Sequence, residues 1–214
     1  MPIFRQGTTS LLFVHIPKTG GTSIERAFQA ADWKMEMRDG RSGKANPNWV
    51  RRASPQHYHV PVLESFLQIE RFDAVFAVVR DPLRRLVSEF IWHMRNDDEV
   101  NVSAEALEAW TAKTLRRATA NPWVLDNHMR PQVEFIHPLS RVYRFEDGLG
   151  TAMERLQEST GIEVPTTIER SLDSSKIASV RSSDVPVNDR VLEMVENFYR
   201  DDYRELGYPL PSRG

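Results

Sequence analysis

The sequence contains no cysteine, which excludes disulfides and Cys-ligated zinc. No run of 18 apolar residues occurs anywhere in the 214-residue chain, so no membrane-spanning helix is expected. The first residues, Met1-Pro2-Ile3-Phe4-Arg5-Gln6-Gly7, lack the apolar core of a signal segment. Neither sign of charge dominates. The formal net charge is -2, whereas a general nucleic-acid binder is usually basic, so no nucleic-acid partner is expected. Any specificity for an anion must therefore come from local clusters. Internal repeats and low-complexity blocks are also missing. The length suits one domain over residues 1–214, enough for a sheet covered by helices on both faces.

What is present centres on Leu11-Leu12-Phe13-Val14-His15-Ile16-Pro17-Lys18-Thr19-Gly20-Gly21-Thr22-Ser23. The uncharged run before Pro17 predicts a strand buried on both faces, ended by the proline. Gly20 and Gly21 allow a tight turn with backbone amides close to a ligand. Thr22 or Ser23 is the expected cap of a helix from Ile24 to about Ala31, with Glu25 in its first turn. His15 is expected to pack within the strand. A strand, a glycine turn and a helix start direct N–H groups and a positive dipole end at one spot. Lys18, Thr19, Thr22 and Ser23 add a charge and hydroxyl donors, so the stretch reads as an oxyanion site. It is not a Walker A loop, because Lys18 precedes the glycine pair instead of following it. A plain strand–helix connection is the alternative.

The stretch Phe13 to Ser23 resembles the 5′-phosphosulfate loop of sulfotransferases, in the branch that includes heparan sulfate 2-O-sulfotransferase and many bacterial relatives. The resemblance implies a P-loop-like three-layer α/β fold, with a central, mostly parallel sheet flanked by helices. It also implies 3′-phosphoadenosine 5′-phosphosulfate (PAPS) as sulfuryl donor, with no metal required. Many relatives that act on polysaccharides carry a membrane anchor; none is seen here, so a cytoplasmic location is expected.

Elsewhere the chain alternates strands and helices, which independently argues for α/β with a largely parallel sheet. Asp73–Arg80 predicts a second central strand. Asp81 caps a helix that starts at Pro82 and runs to about Arg95, with Leu83, Leu86, Val87, Phe90, Ile91 and Met94 inward. Further helices are expected at about Val62–Ile69, Ser103–Ala118 and Val187–Leu206. Arg141–Phe145 reads as a strand, followed by a helix from Glu146-Asp147 to about Glu158. Trp33–Asn48 and Pro165–Pro186 read as loops.

Two further elements bear on chemistry. Arg80 stands at the carboxyl end of its strand, where parallel α/β sheets bind ligands, so it and the Lys18 loop are expected on one edge. Its planar fork suits a phosphate, and Ser88 can add a hydrogen bond. Val78-Val79-Arg80-Asp81-Pro82 with Ser88 resembles the family's 3′-phosphate segment; Arg84 and Arg85 lie nearby, as ligands or as surface charge. The other element is Gln56-His57-Tyr58-His59. If extended, it turns both imidazoles to one side, and histidine has the pKa to take a hydroxyl proton. Relatives with His-x-His in this place use histidine as base. His57 is favoured over His59, and Glu64 is the runner-up. A structural role or a two-ligand metal site is the alternative, though no third ligand stands at metal spacing.

Asn127-His128-Met129-Arg130-Pro131-Gln132 also resembles a family segment near the active site. Asn127, His128, Arg130 and Gln132 are therefore candidates for touching the acceptor or ordering a lid. Lys176 and Arg181 lie in a late loop where relatives close over the nucleotide. The expected activity is sulfuryl transfer from PAPS to a hydroxyl on a carbohydrate, small alcohol or phenol. The rivals are a P-loop-type kinase or NTPase, and a non-catalytic nucleotide-binding protein of the same fold. The sequence does not set the acceptor or the oligomeric state.

Overall fold

Strand β2 (Thr9–Val14) anchors the sheet, and residues Leu11 to Val14 are buried on both faces as their unbroken apolar character requires. The computed structural model describes residues 2–39, 43–94, 101–169 and 180–211. It divides into two compact units. One comprises Met1–Val79, Leu125–His128 and Glu134–Ser171; the other comprises Arg80–Val124, Met129–Val133 and Leu172–Gly214.

The first unit holds a mixed five-stranded sheet flanked by helices. Strand β1 (Ile3–Gln6) forms an antiparallel hairpin with β2, and a short edge strand β3 (Lys34–Glu36) pairs antiparallel with β1. On the other side β2 pairs parallel with β4 (Ala74–Val79), which pairs parallel with β5 (Ser140–Arg144). The strand order is therefore β3-β1-β2-β4-β5. Two of these strands differ from expectation: the sequence pattern does not predict β1, and β3 lies in a stretch that reads as loop.

Helix α1 (Gly21–Ala30) and a later helix, Leu149–Thr160, bring apolar side chains into the core of this unit. Phe28 of α1 stacks on Phe4 of β1 at 4.0 Å, and Phe13 stacks on Phe76 at 4.9 Å. Each fully buried phenylalanine contributes about 1.5–3 kcal/mol. Between β3 and β4 runs a short helix, α2 (Val60–Glu64), which begins earlier and ends sooner than the pattern suggests because Pro61 suits the first turn.

The second unit is helical. Helix α3 (Pro82–Met94) starts as expected: Asp81 Oδ1 accepts from the Arg84 amide at 2.8 Å. Helix α4 (Ala104–Ala120) is capped by Ser103, whose Oγ accepts from the Ala106 amide. The later helix of the first unit is α5. After it, α6 (Asp189–Phe198) is capped by Asn188, and α3, α4 and α6 contact one another. The single last helix predicted by the apolar stripe is in fact two, α6 and α7 (Arg200–Glu205), broken at Tyr199. The Tyr199 hydroxyl donates to the Met129 carbonyl at 3.0 Å. Arg95 and Lys176 lie outside the described residues. Among the described residues no helix is long and apolar enough to cross a membrane.

Candidate active site

After β2 the chain stays buried through His15, Ile16 and Pro17, then turns sharply. Lys18 (φ 69°) and Gly20 (φ 86°) both adopt left-handed backbone conformations. For Gly20 this is free of side-chain cost; for Lys18 it is strain of the kind that gathers at functional sites. The wholly buried Thr19 braces the loop by donating its hydroxyl to the Ile16 carbonyl at 2.8 Å. Gly20 is the N-cap of α1, and its carbonyl accepts from the Ser23 and Ile24 amides. The cap expected from Thr22 or Ser23 is therefore corrected. Gly20 turns the chain into the helix by backbone freedom alone, so the helix starts three residues early. Thr22 is exposed and Ser23 buried in its first turn. The first amides of α1 have no intrahelical carbonyl to bond, which leaves the Lys18 loop facing a positive helix end.

Gly21 is required for another reason. A Cβ there would stand 2.1 Å from His15 Nε2, because the imidazole lies against the helix start. His15 Nδ1 pairs with Glu25 Oε1 at 2.7 Å, and Arg38 Nε donates to Glu25 Oε2 at 2.7 Å. Burial alone would raise the Glu25 pKa. The hydrogen bonds and charges of His15 and Arg38 outweigh it and hold the carboxyl at about 2. Glu25 is thus a buried brace of the loop, and with α1 starting at Gly21 it lies beyond the first turn where it was expected.

In the same unit, His57 ends a 3₁₀ turn over Pro55–His57. Its Nδ1 lies 2.8 Å from Asp126 Oδ2, a partner that sequence reading missed. Asp126 also accepts from both the amide and the hydroxyl of Ser54. Asn127, wholly buried, donates from Nδ2 to the His57 carbonyl at 2.8 Å and lies 3.5 Å from His59 Nδ1. The partners come from a strained turn: Leu125, Asp126 and Asn127 have φ of 52°, 57° and 71°. Consecutive left-handed residues cost about 1–2 kcal/mol each, and persist only where surrounding bonds hold them.

The imidazole of His57 meets those of His128 and His15 edge-on, at 4.7 and 5.1 Å. Burial lowers the His57 pKa, and the neighbouring imidazoles add to this; the bond to Asp126 opposes it without prevailing. For Asp126, burial acts upward, but the bonds from His57 and Ser54 hold its pKa at about 2. Burial thus favours the neutral form of His57, and the bonds from His57 and Ser54 favour the carboxylate form of Asp126.

No third metal ligand stands near the histidines in sequence, yet the fold brings donor atoms of His57, Asp126 and His128 within 4.8 Å of one another. Within that cluster His57 Nδ1 is bonded to Asp126 Oδ2 at 2.8 Å. His59 is the N-cap of α2, near Phe135. Glu64 lies 3.5 Å from His137 Nε2.

In the helical unit, Gln132 clasps the main chain of Arg80: its Oε1 accepts from the Arg80 amide at 2.9 Å and its Nε2 donates to the carbonyl at 2.7 Å. Gln132 is itself fixed by Asp202, which accepts from the Gln132 and Val133 amides. Arg80 Nη2 donates to Ser182 Oγ at 2.7 Å, and Arg84 Nη1 to the Ser182 carbonyl at 2.8 Å. Ser88 follows Arg84 by one turn and is half-buried on the same helix face. Arg85 is no surface charge: it is 2% exposed, with Cζ 5.8 Å from the Tyr199 ring. Arg130 is also buried, over Trp123 at 5.2 Å. Asn127 and Gln132, candidates for touching the acceptor or ordering a lid, are wholly buried and bonded to the main chains of His57 and Arg80.

A mixed α/β sheet has its central strand running through a lysine–glycine loop into a helix start, the arrangement from which an oxyanion site is expected. Comparison with known families takes this further. The chain belongs to the sulfotransferase family, which matches residues 1–209, and it is accordingly a transferase of sulfuryl groups. Neither the curated proteins nor the solved structures gave a match to the chain.

Proposed function

We propose that the protein transfers a sulfuryl group from PAPS to an acceptor hydroxyl, in the manner of the heparan sulfate 2-O-sulfotransferase branch and without a metal. The observation that carries the reading is the loop itself, where Lys18 and Gly20 turn left-handed directly before the first amides of α1. That arrangement suits the 5′-phosphosulfate. As the bond from sulfur to the bridging oxygen breaks, negative charge grows on the leaving phosphate. Lys18 and the helix end stabilise that charge, so catalysis is mainly electrostatic with in-line positioning. Thr19, Gly20, Gly21, Thr22 and Ser23 shape the cradle. Arg80 and Ser88 take the 3′-phosphate, which selects PAPS over ATP. His57 takes the acceptor proton, with His59 beside it in sequence as the second candidate.

The test is ligand-induced stabilisation. At 100 times its Kd, 3′-phosphoadenosine 5′-phosphate adds about 2.7 kcal/mol, a rise in Tm of roughly 5–10 °C for a chain of this size. ATP with Mg²⁺ should do much less. An equal response to both would return the kinase reading.

A further inference from the structure

We infer that Asp126 is a positioning residue that fixes the tautomer of His57, leaving the lone pair on Nε2 to receive the acceptor proton. This rests on the reading of His57 as the base. The carboxylate faces three donors: His57 Nδ1 at 2.8 Å, the Ser54 amide and the Ser54 hydroxyl. An ionised carboxylate only accepts, so the hydrogen between the two groups belongs to Nδ1. In a neutral imidazole with Nδ1–H, the lone pair is then on Nε2.

His59 is held the opposite way. Asn127 Nδ2 is identified as the amide nitrogen because it donates to the His57 carbonyl, which can only accept. The same Nδ2 faces His59 Nδ1 at 3.5 Å, which makes Nδ1 the acceptor and places the hydrogen of His59 on Nε2. One left-handed turn, Leu125 to Asn127, therefore gives the two histidines different tautomers. The base is His57, and His59 carries its hydrogen on Nε2.

In the transfer step the acceptor O–H gives its proton to His57 Nε2, and the freed electron pair forms the new O–S bond. The bond from sulfur to the bridging oxygen of PAPS breaks, and 3′-phosphoadenosine 5′-phosphate leaves with that electron pair. The imidazolium then carries hydrogen on both nitrogens, its charge matched by Asp126.

The experiment is a long-range ¹H–¹⁵N correlation spectrum of the imidazoles in the ¹⁵N-labelled full chain, with His57→Gln and His59→Gln assigning the signals. The wild-type protein should show His57 as the Nδ1–H tautomer and His59 as the Nε2–H tautomer. In Asp126→Asn an amide can donate to Nδ1, so His57 should switch to Nε2–H. Transfer from PAPS to alkyl alcohols should fall about 10²–10⁴-fold, with 3′-phosphoadenosine 5′-phosphate binding unchanged. Wild-type His57 found as Nε2–H, or a tautomer unmoved by Asp126→Asn, overturns the inference; the first result does not depend on the folding of Asp126→Asn. A tautomer that switches while the transfer rate holds keeps Asp126 in its positioning role and removes His57 as the base.

Discussion

Gly21 leaves open the space that the His15 imidazole fills: an added Cβ would stand 2.1 Å from Nε2 and 2.2 Å from Cδ2. Gly21→Ala must therefore drive the ring out and break its bond to Glu25, at a cost of about 2–4 kcal/mol. In His15→Ala the space is open, so adding Gly21→Ala should cost much less than it does in the wild type. Urea midpoints of the two single variants and the double variant measure this. Additive losses would show that the ring and the methyl do not compete.

Glu25 makes the loop sensitive to acid. Its pKa is about 2 in the folded chain against an ordinary 4.5, so its stabilisation is complete above pH 4.5 and is lost as the pH falls toward 2. The amount is on the order of 3 kcal/mol. Glu25→Gln should start less stable at pH 7 and lose less between pH 5 and 2. Parallel stability–pH curves for the two proteins would place the acid sensitivity elsewhere.

Lys18 and His57 separate by the acceptor used. Lys18→Ala removes a charge that acts on the donor, so transfer should slow by a similar factor for every acceptor. His57→Ala removes a proton acceptor, so its loss should be about 10²–10⁴-fold with alkyl alcohols and should shrink with acidic phenols. The pH profile adds a sign. His57, buried and flanked by His128 and His15 opposite Asp126, protonates below the ordinary histidine range. Activity should therefore stay level as the pH falls through 6.5. A half-loss at 6.5, or equal losses across acceptors in His57→Ala, would count against the assignment.

Arg80→Ala should weaken binding of 3′-phosphoadenosine 5′-phosphate by a few kcal/mol with the fold intact, because a charge-assisted bond to phosphate is lost. Gln132→Ala should also weaken it, less strongly, since Gln132 holds only the Arg80 main chain. Calorimetry decides; affinity unchanged in Arg80→Ala would remove that residue from the nucleotide site.

The central strands were legible because β2 and β4 are apolar at every buried position, which no other local structure of that length explains as well. The edge strands were not. β1 has only Ile3 and Phe4 inward, and β3 is three residues whose pairing depends on β1. The break at Tyr199 is not visible in the sequence because the apolar stripe continues across it. The Lys18 loop was readable since its parts are contiguous. The partners of His57 were not, because Asp126 lies 69 residues away. One signal was available: Asp126-Asn127 pairs two residues that tolerate left-handed backbone. Glu25 gave a similar hint, as an acid between Ile24 and Phe28 on an otherwise apolar face.

The turn Leu125 to Asn127 has a kinetic consequence. Left-handed backbone is unfavourable in an isolated peptide, and the bonds that offset it join Asp126 to Ser54 across 72 residues. A folding chain gains nothing from this turn until that long loop has closed. The turn is therefore expected to form after the rate-limiting barrier. Substituting Asp126 should speed unfolding and leave the refolding rate nearly unchanged, so the segment that orders the histidines is also the one whose loss shortens the lifetime of the native state.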